Sequence, residues 1–258
     1  MIPLVDMHCH LLAGLDDGPR SDEEALAMCR IACEEGTRLV AATAHQNESW
    51  PEVTPGCIRQ AATLLSQRLN DSGIELTVFP CAEVMVHPEI ETAWLAGDHL
   101  SVGDRGQYLL IEMPHALFLD LSSLPESLKR AGVRPILAHP ERNEELLHEA
   151  GVVDQLIHAG CLVQVSSGSV TDPPSGRDEK ALKSWFKRGV VHFLGSDGHS
   201  PSRRPPRMAA AYNKIRRWAG DAVADRVCST NGLAVLQGMA LRIQMPEPKR
   251  TGWLPKIF

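Results

Sequence analysis

The sequence predicts an α/β fold organised around a largely parallel sheet, and three observations predict it. Short β-branched or aliphatic runs alternate with helical patterns almost from end to end, which is the rhythm of βα units. The 258 residues, 43% of them apolar, suffice to bury one large core, and an α/β barrel fits that length as a single domain. Histidines and acidic residues recur near the C-terminal ends of the expected strands, the rim where parallel α/β barrels build their sites.

The expected strands lie at 3–7, 39–43, 76–80, 108–112, 135–138, 162–165 and 190–194. Ser21-Asp22-Glu23-Glu24 is a capping box that opens the first helix, and Gly36 is its stop. Thr54-Pro55 opens a second helix running towards Ser72-Gly73, since proline suits the first helical position. Further helices are expected at 122–131, 144–159, 178–188 and 207–218, with loop-like breaks at 172–176 and 200–206. No fixed-period repeat or low-complexity linker divides the chain. It reads as one barrel domain over 1–245 with a short tail at 246–258, whose Trp253 and Phe258 could pack on the barrel or on a neighbour.

A net charge of −6 lacks the electrostatic footprint of a nucleic-acid partner. The N-terminus carries no basic region or cleavage pattern, and no apolar run approaches the roughly 18 residues of a membrane helix. A cytoplasmic protein without membrane insertion is the expectation. The seven cysteines are scattered, odd in number and free of any Cys-x-x-Cys pair, so neither a disulfide framework nor a thiolate zinc site is expected. Cys29 and Cys33, four apart on the first helix, read as small core residues.

His8 and His10 follow the first strand two residues apart, so on an extended chain their side chains share one face and can grip one ion. Alone, such a pair is weak evidence. Asp197-Gly198-His199 repeats the spacing after the last strand, while His45, Glu83, Glu112 and His139 mark the second to fifth strand ends. Asp16-Asp17-Gly18-Pro19 is a turn whose nearness to the histidine pair makes one carboxylate a plausible ligand. Imidazoles and carboxylates without thiolate suit Mn, Fe or Zn, and so many donors exceed one ion's needs, which predicts two or three ions with Glu83 able to bridge. His87, His99, His115, His148, His158 and His192 fall off this pattern and read as structural or exposed, with His87 and His115 nearest to proposed ligands. Arg142, three residues after His139, and Arg204, in the loop after His199, predict a tetrahedral oxyanion, because the guanidinium fork matches two phosphate oxygens.

These motifs resemble the polymerase-and-histidinol-phosphatase (PHP) superfamily. Within it they are most similar to the bacterial manganese-dependent protein-tyrosine phosphatases of capsule and exopolysaccharide biosynthesis. The carrying segments are Asp6-Met7-His8-Cys9-His10, Gly14-Leu15-Asp16-Asp17-Gly18-Pro19, Ala42-Thr43-Ala44-His45, Glu83, Glu112, Ala138-His139-Pro140-Glu141-Arg142 and Gly195-Ser196-Asp197-Gly198-His199. Arg204-Pro205-Pro206 and a closing helix at 231–238 complete them. The resemblance implies a distorted (β/α)7 TIM-like barrel with three divalent ions, usually manganese or iron. His8, His10, Glu83 and Asp197 would hold one ion, Glu83, Glu112 and His139 a second, and Asp17, His45 and His199 a third. Arg142 and Arg204 would bind phosphate. The implied substrate is the phosphotyrosine-bearing tail of a bacterial tyrosine autokinase that controls polysaccharide synthesis.

Family members often carry a second histidine where Gln46 stands, and an aromatic residue where Asn143 stands. No cysteine is followed six positions later by arginine, so a Cys-x5-Arg thiolate route is closed. A proton donor for the leaving phenol is hard to name; Asp17 or a water could serve. The alternatives are a small-molecule phosphatase such as a histidinol-phosphate phosphatase, an amidohydrolase, whose bridging lysine is replaced here by Glu112, and a non-catalytic metal-binding regulatory module.

Overall fold

The computed structural model describes residues 2–114, 121–243 and 245–246. Seven parallel strands follow one another round the sheet in sequence order: β1 (Leu4–His10), β2 (Thr37–Gln46), β3 (Thr77–Met85), β4 (Tyr108–Glu112), β5 (Arg134–Ala138), β6 (Leu162–Ser166) and β7 (Phe193–Gly195). β7 returns to β1, where the Asp197 N–H donates to the His8 carbonyl at 2.7 Å and the His10 N–H to the Gly198 carbonyl at 2.9 Å. The result is a nearly closed seven-stranded α/β barrel of the TIM-like kind.

Eleven α-helices surround it among the described residues: α1 (Asp22–Glu34), α2 (Pro55–Asp71), α3 (Ile90–Ala96), α4 (Leu124–Arg130), α5 (Glu144–His148), α6 (Ala150–His158), α7 (Ser167–Thr171), α8 (Gly176–Arg188), α9 (Ala209–Ala219), α10 (Asp221–Asp225) and α11 (Asn231–Leu236). None is long and apolar enough to cross a membrane. Start signals act where expected: Ser21 accepts from the Glu24 N–H and Thr54 from the Cys57 N–H. The capping box is not reciprocal, however, because Glu24 accepts the Arg20 N–H at 2.8 Å.

Several boundaries differ from the sequence reading. β1, β2 and β3 run further than expected, so His8, His10, His45 and Glu83 lie inside strands rather than after them. Buried on both faces, a parallel strand can end in polar residues provided that those residues pair with one another. β7 starts at Phe193 instead of 190, and the expected helix over 144–159 is broken at Glu149 into α5 and α6. The tail beyond residue 246 and His115 lie outside the described residues. All seven cysteines are free, and burial pushes the Cys29 thiol up to about 12.

Strand alternation builds two layers. Inward-facing Met7, Ala41, Cys81, Leu110, Ile136 and Phe193 fill the lower barrel as one apolar cluster, which α11 closes with Val235 and Leu236. Their outward neighbours, such as Val40, Ala82 and Leu137, belong to the larger cluster under the helices. Continuing the inward parity up the strands places His45, Glu83, Glu112 and Gln164 above this apolar plug. In β1 the parity changes: pairing with β2 shifts register between Asp6 and Cys9, and beyond the shift Cys9 joins the outer cluster. That irregularity turns both His8 and His10 inward.

Candidate metal centre

The donors converge at the C-terminal rim. His8 Nε2 lies 3.2 Å from Glu83 Oε2 and 3.5 Å from Asp197 Oδ1. His10 Nε2 lies 3.3 Å from the same Glu83 oxygen, and His139 Nε2 2.8 Å from Glu83 Oε1. His45 Nδ1 is 3.2 Å from both Glu83 Oε2 and Glu112 Oε1. Asp17 Oδ1 is 3.4 Å from both His45 Nε2 and His199 Nε2. All nine predicted donors are therefore drawn together, with the Glu83 carboxylate, only 1% exposed, at the centre.

Their donor atoms form four overlapping groups: His8, His10 and Asp197; His8, Glu83 and His139; His45, Glu83 and Glu112; and His10, Asp17, His45 and His199. These overlap the three sets implied by resemblance, with His8, His10, His45 and Glu83 each shared by two groups. A divalent cation fits this arrangement. His8 Nε2 faces His10 Nε2 at 3.1 Å, and buried His45 Nδ1 makes no well-directed hydrogen bond despite its two carboxylate neighbours. Imidazole and carboxylate lone pairs aimed at shared points are what such an ion requires.

The electrostatics agree. Burial opposes charge throughout, yet Glu83 is held well below the usual carboxylate range by His8, His10 and His139. Burial would lower His10 and His45, but their carboxylate neighbours hold them up at about 10 and about 11. Hydrogen bonds from His199 and His45 keep Asp17 well below the usual range. Protons on these imidazoles occupy the positions that divalent ions would take, so metal binding here releases protons.

Residues outside the expected set orient the donors. Asp16 Oδ2 accepts from His10 Nδ1 at 2.6 Å and from the His45 N–H at 2.9 Å, and Asp16 Oδ1 accepts the Gly18 N–H at 3.0 Å. Gln164 Oε1 lies 3.1 Å from His8 Nδ1. Both partners leave the Nε2 edges free to face the cluster. Asp16 is one of two acidic candidates in its turn, whereas the only sequence signal for Gln164 is a lone polar residue inside Leu162-Val163-Gln164-Val165.

Arg142 and Arg204 both reach Asp197 Oδ2, at the edge of the cluster. The two departures from the family pattern have local roles. Gln46 donates to the Val53 and Asp98 carbonyls, each at 3.1 Å, and accepts the Leu100 N–H at 3.0 Å, tying two rim loops together. Asn143 caps α5 by accepting the Leu146 N–H at 3.0 Å. The remaining described histidines lie outside the cluster: His148 pairs with Asp178 at 2.8 Å, His158 meets the Asp154 carbonyl at 2.7 Å, His87 faces His99 at 3.1 Å, and His192 accepts the Val163 N–H at 3.0 Å.

Comparison with known proteins gives consistent findings. Residues 4–237 match the family model described as capsular polysaccharide synthesis, CpsB/CapC. The chain is 30% identical to the tyrosine-protein phosphatase YwqE of Bacillus subtilis, covering 95% of this chain and 96% of that protein. It is 23% identical to the tyrosine-protein phosphatase CpsB of Streptococcus agalactiae, covering 91% and 98% of the two chains. Among solved structures, one from work on YwqE and CpsB, described as metal-dependent tyrosine phosphatases, superimposes with a TM-score of 0.87. The identity is 27%, with 96% of this chain and 100% of that chain covered. A lactonase from Listeria monocytogenes shares the fold alone, with a TM-score of 0.59 at 8% identity, 89% of this chain and 93% of that chain being covered.

Proposed function

The chain belongs to the CpsB/CapC family, and from that premise we propose that it is a metal-dependent protein-tyrosine phosphatase. Its substrate on this reading is the phosphotyrosine-bearing tail of a bacterial tyrosine kinase that governs capsular or exopolysaccharide synthesis. The single observation that carries the reading is the convergence of Arg142 and Arg204 on the edge of a nine-donor cluster.

Three divalent ions, manganese in the first instance, would be held by His8, His10, Asp17, His45, Glu83, Glu112, His139, Asp197 and His199. When bound, such ions would neutralise phosphoryl charge and lower the pKa of bound water towards about 7. The chain's own residues supply the rest. Arg142 and Arg204 grip phosphoryl oxygens as forks, exchanging part of their hold on Asp197 for the substrate. Glu83 and the apolar plug beneath it keep bulk water from the lower side of the centre. Asp17, whose Oδ1 lies 3.4 Å from both His45 Nε2 and His199 Nε2, would serve as a ligand, and it or a water as proton donor to the leaving phenol. The leaving phenol, with a pKa near 10 as free tyrosine, departs with less help than an alkyl oxygen needs. Beside the rim, a cavity of about 810 Å³ bordered by Trp50, Met85, Val86 and Pro114 offers apolar surface to an aromatic ring.

Metal analysis with phosphotyrosyl-peptide, histidinol-phosphate and nitrophenyl-phosphate assays tests this. His139→Ala is expected to lose metal, whereas Arg142→Ala keeps its metal and loses about 10²- to 10³-fold in turnover. One ion or none per chain sinks the three-ion assignment. Histidinol phosphate hydrolysed in preference to the peptide would point to a small-molecule phosphatase, and metal binding without turnover to a regulatory module.

A further inference from the structure

A cavity of about 620 Å³ opens beside the candidate centre and shares Arg142, Asp197 and Arg204 with it. Its other walls include the hydroxyl-bearing Ser167, Ser169 and Thr171 of α7 and two more arginines, Arg203 and Arg207. Arg142 and Arg204 are committed to Asp197. Arg203 and Arg207 are exposed and form no ion pair with any carboxylate among the described residues, although Asp172 also borders the cavity.

The backbone that carries these two arginines is braced. The Arg203 and Arg204 N–H groups donate to Ser200 Oγ at 3.0 and 3.1 Å, and the Arg204 carbonyl accepts the His199 N–H at 2.9 Å. Pro205 and Pro206 stiffen the next step. The Arg207 carbonyl accepts from Ser167 Oγ at 2.6 Å, which ties the loop to α7. Two arginines without an ion pair among the described residues thus line, on a braced backbone, a cavity that Arg142 and Arg204 also border.

We propose that Arg203 and Arg207 form a second anion subsite, which takes an acidic group on the substrate beside the phosphorylated tyrosine. This rests on the phosphatase reading above. A carboxylate or a second phosphoryl group satisfies the same chemistry, since both present paired anionic oxygens to a guanidinium fork. A basic flanking residue is repelled by the same wall.

The test is kcat/KM on matched phosphotyrosyl peptides whose flanking residue is Glu, Ala, Lys or a second phosphotyrosine, with nitrophenyl phosphate as a flank-free substrate. The Glu peptide is expected to exceed the Ala peptide on the order of fivefold, mainly through KM, and to lose that lead as salt rises. In the Arg203→Ala/Arg207→Ala double variant the ratio falls to near one. Arg207→Glu should shift preference towards the Lys peptide, a gain that misfolding cannot imitate. A lead of the doubly phosphorylated peptide over the Glu peptide identifies the anion as phosphoryl and supports the subsite. Equal rates on Glu, Ala and Lys peptides by the unaltered enzyme, or a preference that survives the double variant, overturn it while leaving the phosphatase reading intact. Failure on nitrophenyl phosphate and every peptide removes both.

Discussion

At the scale of single residues, the candidate donors depend on neighbours outside their own set. His10 is held through Nδ1 by Asp16, which also accepts the His45 and Gly18 N–H groups, so one carboxylate sets the ring of one donor and the backbone of another. Asp16→Ala should therefore weaken metal binding about 10- to 100-fold while leaving every donor in the chain. Chelator competition on the loaded protein measures this, and an unchanged affinity would deny Asp16 its orienting role. Two donors also sit in strained backbone: His139 has φ 32° and Asp197 φ 53°, two of the three non-glycine residues with positive φ among the described residues. Such conformations cost on the order of 1–3 kcal/mol each and persist where the surroundings over-determine them.

At the scale of elements, the register shift in β1 and the late start of β7 decide which side chains face the centre. His192, just before β7, illustrates the cost of that packing. Its Nδ1 accepts the Val163 N–H of β6 at 3.0 Å, so the ring must be neutral in the fold. Burial, with Arg134 and Arg226 nearby, pushes it down to about 3 from an ordinary value of 6.5. A depressed folded value means that the unfolded chain takes up the proton first. The stabilisation is complete above about pH 6.5 and is lost as pH falls towards 3, by up to about 1.4 kcal/mol per pH unit. Between about pH 7.5 and about pH 5, the unaltered protein should lose about 2 kcal/mol more than His192→Gln. Urea unfolding of both proteins checks the difference; equal losses would rule out His192 as the titrating group.

At the scale of the whole molecule, the site exists only because β7 closes against β1. Gly195 permits that approach: a Cβ there would lie 2.6 Å from His8 Cβ and 2.7 Å from Gln164 Nε2. Gly195→Ala is expected to destabilise the protein by about 1–3 kcal/mol and to lower metal content together with thermal stability. A variant that melts at the original temperature with its full complement of metal would show that the closure tolerates the added carbon. Closure also sets Asp197 and His199 against His8 and His10, two pairs separated by most of the chain.

Much of this was legible in the residues themselves. Alternating apolar runs and capped helices announce a parallel α/β architecture because period and propensity are local properties. The nine donors stood out because ionisable residues at the ends of apolar strands are costly unless they pair. What lies between strands was not legible. Gln164 and Asp16 acquire their roles only across the barrel or across a turn, His10 and His45 stand between groups only once β1 and β2 align, and α5 and α6 separate at a residue with no breaking signal. The sequence by itself determined the kind of fold and named the nine candidate donors that the fold brings together. The register, the barrel's closure and the sharing of Asp197 by two arginines were decided by tertiary structure, because each depends on distances between segments that no local pattern encodes.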